Sequence, residues 1–170
     1  QTPDGIIATV YNAAKKVTLS AVMDAKLNSS AGTIDIPINI KVTNRGYFSG
    51  ISSSSSHTIA LSGNKKTMTR CAFHEMGHRY EVLYPEIVKI EKQFYDRRTA
   101  GEELTWLGLG YDKSEKTRRD HFVSPYMGKD YGGDAFELVS MGMEGLYCGT
   151  VDMAKDQEFK EMMFGILVSI

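Results

Sequence analysis

The spacing of apolar positions changes period several times along this chain, and each change predicts an element. Over residues 3–27, Ile6, Ile7, Val10, Ala13, Ala14, Val17, Leu19, Val22 and Met23 form a broad apolar stripe at helical spacing. A helix of this kind is expected to pack behind a sheet. Residues 28–32 break the pattern, and Ile34-Asp35-Ile36-Pro37-Ile38-Asn39-Ile40-Lys41-Val42 then alternates apolar with polar or proline, the period of a strand. Residues 46–51 predict a second strand and His57–Ser62 a third, joined by the serine run Ser52 to Ser56, which reads as a flexible loop.

Helical spacing returns over residues 64–84. Met68, Cys71, Ala72, Met76, Val82 and Leu83 make its apolar side, and Lys65, Lys66, Arg70 and Arg79 its wet side. Pro85 ends this run, and Ile87, Val88, Ile90, Glu91, Phe94 and Tyr95 predict a further helix to about Arg98. Residues 100–133 hold no sustained period. Their glycines and the aromatics Trp106, Tyr111, Phe122, Tyr126 and Tyr131 describe a long ordered loop, and loops of that length are usually functional. Residues 134–146 read as helix again, and a last helix runs from about Met153 into Phe164, Ile166 and Leu167.

A chain of 170 residues is expected to form one domain with room for a real core. With 20 basic against 21 acidic residues it carries no field of the kind that draws a protein to nucleic acid or to anionic lipid. No stretch has the apolar length needed to cross a bilayer. The start at Gln1 suggests a domain excised from a longer polypeptide, whose other domains are then expected partners. Cys71 and Cys148 make no disulfide framework, although one bridge between them is possible. Cys71 shares roughly the face of the motif below, but reads first as a small buried apolar side chain.

The chemistry is concentrated in His74-Glu75-Met76-Gly77-His78, which takes two of the four histidines of the chain. On a helix, residues four apart share a face, so both imidazoles can offer a nitrogen to one tetrahedral ion, with zinc the expected metal. Glu75 then lies beside the ion, where a carboxylate can take a proton from water. After His78 the chain reads Arg79-Tyr80-Glu81-Val82-Leu83-Tyr84, which lacks the third histidine of HExxHxxGxxH. A downstream glutamate is the remaining common solution, and Glu137 fits. Glu144 is its rival on nearly the same helix face, about 10 Å further along at ~1.5 Å per residue. If it is not the ligand, it is expected to orient a histidine or to form a surface or interhelix pair. Asp120 and His121 are further alternatives, and His57 reads as a neutral surface or loop histidine.

A zinc hydrolase benefits from a second electrophile for the oxyanion, and Tyr126 and Tyr131 both precede the Glu137 helix, with Tyr126 preferred. The basic pairs Arg97-Arg98 and Arg118-Arg119 read as solvated or salt-bridged surface groups before they read as a binding patch.

The order of helix, short strands, HExxH helix, long loop with tyrosines and glutamate helix resembles the zincin metallopeptidases, in the glutamate-ligand branch of thermolysin and the lethal-factor-type toxins. Locally, residues 74–149, with Phe94-Tyr95-Asp96-Arg97-Arg98, Asp120-His121-Phe122, Tyr126-Met127-Gly128-Lys129 and Glu137 to Glu144, are similar to peptidase-like domains of phage structural proteins and polymorphic toxins. The resemblance implies an α+β, zincin-like fold. In it a small, twisted, mostly antiparallel sheet packs on an N-terminal helix and the HExxH helix, followed by a mainly helical C-terminal part. It implies a zinc endopeptidase acting on protein or peptide, with His74, His78 and Glu137 as ligands, and with His57–Ser62 as the cleft edge that binds extended substrate. One departure stands out: the position four after the glutamate, acidic in the thermolysin type and supporting the first histidine, is Met141. Either another group supports that histidine or Glu137 is not the ligand. The alternative to an enzyme is a metal-retaining structural or binding domain, for example of a phage particle, without significant turnover.

Overall fold

The computed structural model describes residues 36–169. The helix expected over residues 3–27 lies outside them. The described chain is a mixed α+β arrangement of a three-stranded sheet, a two-stranded ribbon and four α-helices.

Three strands, β1 (Ile38–Thr43), β2 (Tyr47–Ser49) and β3 (His57–Ser62), pair in the order β1-β3-β2. β1 runs parallel to β3 from Ile38↔His57 to Thr43↔Ser62, while β2 pairs with β3 antiparallel from Tyr47↔Ala60 to Ser49↔Thr58. The main sheet is therefore mixed, its longest pairing is parallel, and β3 is its centre. The expectation of a mostly antiparallel sheet with His57–Ser62 at the cleft edge is corrected on both points. Burial gives the reason: His57, Ile59 and Ala60 are buried, so this strand takes the position paired on both sides. Among the described residues the polar-alternating β1 is left at one edge, with Ile40 59% and Val42 65% exposed.

The crossing from β1 to β2 passes close to the motif helix. A Cβ at Gly46 would stand 2.1 Å from Cys71 Sγ and 2.9 Å from Glu75 Oε1, so this approach requires glycine. His57, expected at the surface, is fully buried instead. Its Nδ1 accepts from Arg79 Nε at 3.2 Å, which leaves Nε2 to donate to the Ile51 carbonyl at 3.0 Å. Arg79, expected on the wet side, is buried in the same place and also donates to Ile36 O at 2.9 Å.

α1 (Lys65–Leu83) starts where Asn64 Oδ1 accepts the N–H of Lys66 at 3.0 Å, and it stops against Pro85, which opens α2 (Pro85–Arg98). The loop that follows contains a ribbon, β4 (Thr105–Trp106) with β5 (Lys116–Thr117), and a 3-10 turn over Pro125–Gly128. Arg98 ties this loop down. Its side chain reaches Asp120 at 2.5 Å and Asp156 at 3.0 Å and lies over the rings of Phe94 and Phe122. Arg118 pairs with Asp130 at 3.2 Å, so both are structural, as the sequence reading preferred.

The helix expected from residue 134 begins four residues later as α3 (Leu138–Cys148). Gly132 and Gly133 hold positive φ, and the chain between them and Glu137 enters the core through buried Phe136 before it coils. α3 is buried along Leu138 to Glu144, packed between α1 and the last helix. A methyl on Gly77 of α1 would meet Ser140 Cα at 2.6 Å, and one on Gly142 would meet Met163 Sδ at 2.4 Å. The final segment is a 3-10 turn, Met153–Lys155, then α4 (Gln157–Ser169), where Asp156 Oδ1 caps the N–H of Phe159 at 3.0 Å.

Candidate metal centre

α1 presents His74 and His78 one turn apart, with ring centroids 5.0 Å from one another. Glu137 stands at the N-cap of α3 and faces them. Its Oε2 lies 3.1 Å from His74 Nε2 and 3.3 Å from His78 Nε2. Metal bonds of about 2.0 Å in a tetrahedron place neighbouring ligand atoms about 3.3 Å apart, so this spacing suits one tetrahedral metal ion. His74, His78 and Glu137 form a group able to hold a metal ion, the glutamate buried and the histidines half-buried. Among the described residues no fourth His, Cys, Asp or Glu joins it.

Each histidine is backed by a carboxylate on its other nitrogen. His74 Nδ1 is 2.8 Å from Glu144 Oε1, and His78 Nδ1 is 3.1 Å from Glu81 Oε2. Such pairs fix ring orientation and raise ligand basicity. Glu144 is the rival ligand found in the supporting role, held in turn by Arg70 at 3.2 Å and by the Thr150 hydroxyl at 3.2 Å. It supplies from one heptad on the support that Met141 cannot.

The charges follow from this packing. Burial draws both imidazoles down, but hydrogen bonds to Glu137 and Glu144 carry His74 up to about 9. Bonds to Glu137 and Glu81 carry His78 up to about 11. Burial pushes Glu137 up, yet its bonds to the two histidines hold it well below the usual carboxylate range. Without a metal, the site is two imidazolium groups clamped on one carboxylate.

Glu75 is buried beside this cluster, its Oε1 3.9 Å from the Cys71 thiol. Burial raises its pKa, partly offset by the charges of His74 and His78. Both sequence-predicted tyrosines arrive at the same place. The Tyr131 hydroxyl donates to Glu137 Oε1, while the Tyr126 phenol interacts with that carboxylate and with Tyr131. Burial first, and the Glu137 charge second, push both phenols far above their ordinary range, so both stay protonated. Lys129 lies over the two rings, 5.3 and 4.6 Å from their centroids, and pairs with Glu115 at 2.7 Å.

Other candidates are not brought in. His121 is exposed, Asp120 is committed to Arg98, and Cys71 and Cys148 are free thiols, neither of them in the metal-binding group. Sequence reading missed Glu81, Glu91, Ser140 and Lys129. The signal for Glu91 was present: it is an acid inside the apolar stripe of α2, among Ile87, Phe94 and Tyr95. Next to His78 opens a cavity of about 630 Å³, walled by Phe48, Ile51, Val82, Val88 and Ala135.

Comparison of the chain with protein-family models, with curated proteins and with solved structures found no match.

Proposed function

We propose that this protein is a zinc-dependent endopeptidase of the zincin type with a glutamate ligand. The observation that carries the reading is a His74–His78–Glu137 group whose histidines are each backed by a carboxylate, with a buried glutamate, Glu75, beside it. The donor set fits the metal: two imidazole nitrogens and one carboxylate oxygen suit zinc better than an all-oxygen cation. A structural zinc is usually enclosed by four protein ligands, and three leave a position open, which favours catalysis over the binding-domain alternative.

When bound, zinc supplies a Lewis acid that polarises a carbonyl and makes a water molecule acidic near neutral pH. The residues of the chain do the rest. Glu75, with its affinity for protons raised by burial, accepts a proton from water and delivers it to the departing amine. Tyr126 and Tyr131, kept protonated, donate to the oxyanion of the tetrahedral intermediate. Among the described residues β2 pairs only with β3, so its outer edge is open to an extended peptide by strand addition. The cavity beside His78 gives one substrate side chain a place.

The test is metal content of protein purified without added metal, followed by proteolysis of an unfolded protein substrate. We expect about one zinc per chain. Glu75→Gln should keep that zinc and lose hydrolysis; turnover retained in this variant would sink the mechanism, and absence of zinc from the wild type would sink the reading.

A further inference from the structure

Glu137 occupies the N-cap position of α3, where a side chain normally accepts a backbone N–H of the first turn. It makes no such bond, because its carboxylate is turned toward His74, His78, Tyr131 and Ser140. The first turn is capped from elsewhere: Glu91 of α2, fully buried, accepts the Val139 N–H on Oε1 at 2.7 Å. Its second oxygen, Oε2, has no hydrogen-bond partner, and neither has Glu81 Oε1. These two carboxyl groups act on one another electrostatically, and the other oxygen of Glu81 holds His78. One buried side chain thus touches the helix that carries the third ligand and acts on the group behind the second.

We propose that Glu91 is a positioning residue of the metal centre: by capping α3 from outside, it frees the Glu137 carboxylate to face His74 and His78. The proposal rests on the metal-site reading above. Without Glu91, the Val139 N–H is a buried donor lacking an acceptor, and the N-cap position that ordinarily supplies one is held by Glu137. The ligand would turn back onto its own helix. A neutral group of the same shape is enough for the role, since it keeps the acceptor for the Val139 N–H. Burial and the nearby Glu81 charge, which raise the Glu91 pKa well above the carboxylate range, agree with that neutral form.

The experiment compares wild type, Glu91→Ala and Glu91→Gln by zinc affinity, in competition with a chromophoric chelator, and by amide hydrogen exchange of the α3 first turn in metal-free protein. Glu91→Ala is expected to lose about 10–100-fold in affinity, the range for groups behind metal ligands, with the exchange pattern of the first turn altered. Glu91→Gln is expected to restore both. Unchanged zinc affinity and exchange in Glu91→Ala would overturn the proposal, as would a folded Glu91→Gln that loses more than tenfold. If Glu91→Ala does not fold, the Gln variant alone decides on the same criterion. If the wild type takes up no zinc, the metal reading fails, and altered exchange in Glu91→Ala with rescue by Gln would still establish the cap.

Discussion

The sheet edge and the helical interior invert the usual distribution of polarity. On β1, Ile40 and Val42 stand largely in solvent, while Glu75, Glu81, Glu91, Glu137 and Glu144 are buried among α1, α2 and α3. Removing a carboxylate from water costs several kcal/mol unless partners return the lost interactions. Here partners come from His74, His78, Arg70, Tyr131, Ser140, Thr150 and one helix N-terminus, while Glu81 Oε1 and Glu91 Oε2 have none. An interior assembled at that cost is unusual and coincides with the group able to hold a metal ion, whereas two exposed apolar side chains on β1 are ordinary for a protein surface.

The contrast breaks most severely at Glu137. Glu137→Ala leaves the two histidines without their common partner, and zinc affinity should fall roughly 10³-fold, about 4 kcal/mol. Equilibrium dialysis against zinc buffers reads this directly. Next comes Glu144→Gln, which weakens the support of His74 and should cost about 10–100-fold in the same assay. Gly77→Ala tests the approach of the two site-bearing helices: the new methyl meets Ser140 backbone, and urea unfolding should show a loss of about 1–3 kcal/mol. At the other pole, Val42→Thr should change stability by no more than ~0.5 kcal/mol. A loss above ~1 kcal/mol would show that Val42 is covered in solution, and the inversion would be only apparent.

Proton linkage gives a further handle. His74 and His78 have folded values raised above 6.5, so their contribution to the metal-free protein is complete below that pH and is lost as pH rises through about 9 and then 11. Glu137 is held low, so its contribution is present above 4.5 and is lost as acid titrates it. Metal-free protein should therefore be least stable at both ends of this range. Zinc must displace the imidazole protons, so its affinity should rise from pH 7 toward 9, and uptake in weak buffer should release acid measurable with an indicator dye.

Local periodicity was enough to read α2 to its final residue and β3 to both ends, because Pro85 and the alternation around Ile59 act within a few residues. The pairing of His74 with His78 was legible for the same reason. Sheet order was not, since nothing within β1 or β2 tells on which side of β3 either will lie. The start of α3 was misread because its cap comes from Glu91, in a different helix. Glu91 stands inside the apolar stripe of α2 and could be suspected of burial, whereas only tertiary packing turns Glu81 inward.

The separation along the chain between His74 and its support Glu144, seventy residues, also fixes when the site can exist. Closing a loop of this size costs about 4 kcal/mol of chain entropy before any contact is returned. During synthesis, a chain lengthening at ~5–20 residues per second displays the histidine pair several seconds before the carboxylates that complete it. The growing polypeptide passes through that interval with the histidine pair made and its carboxylate partners still to come.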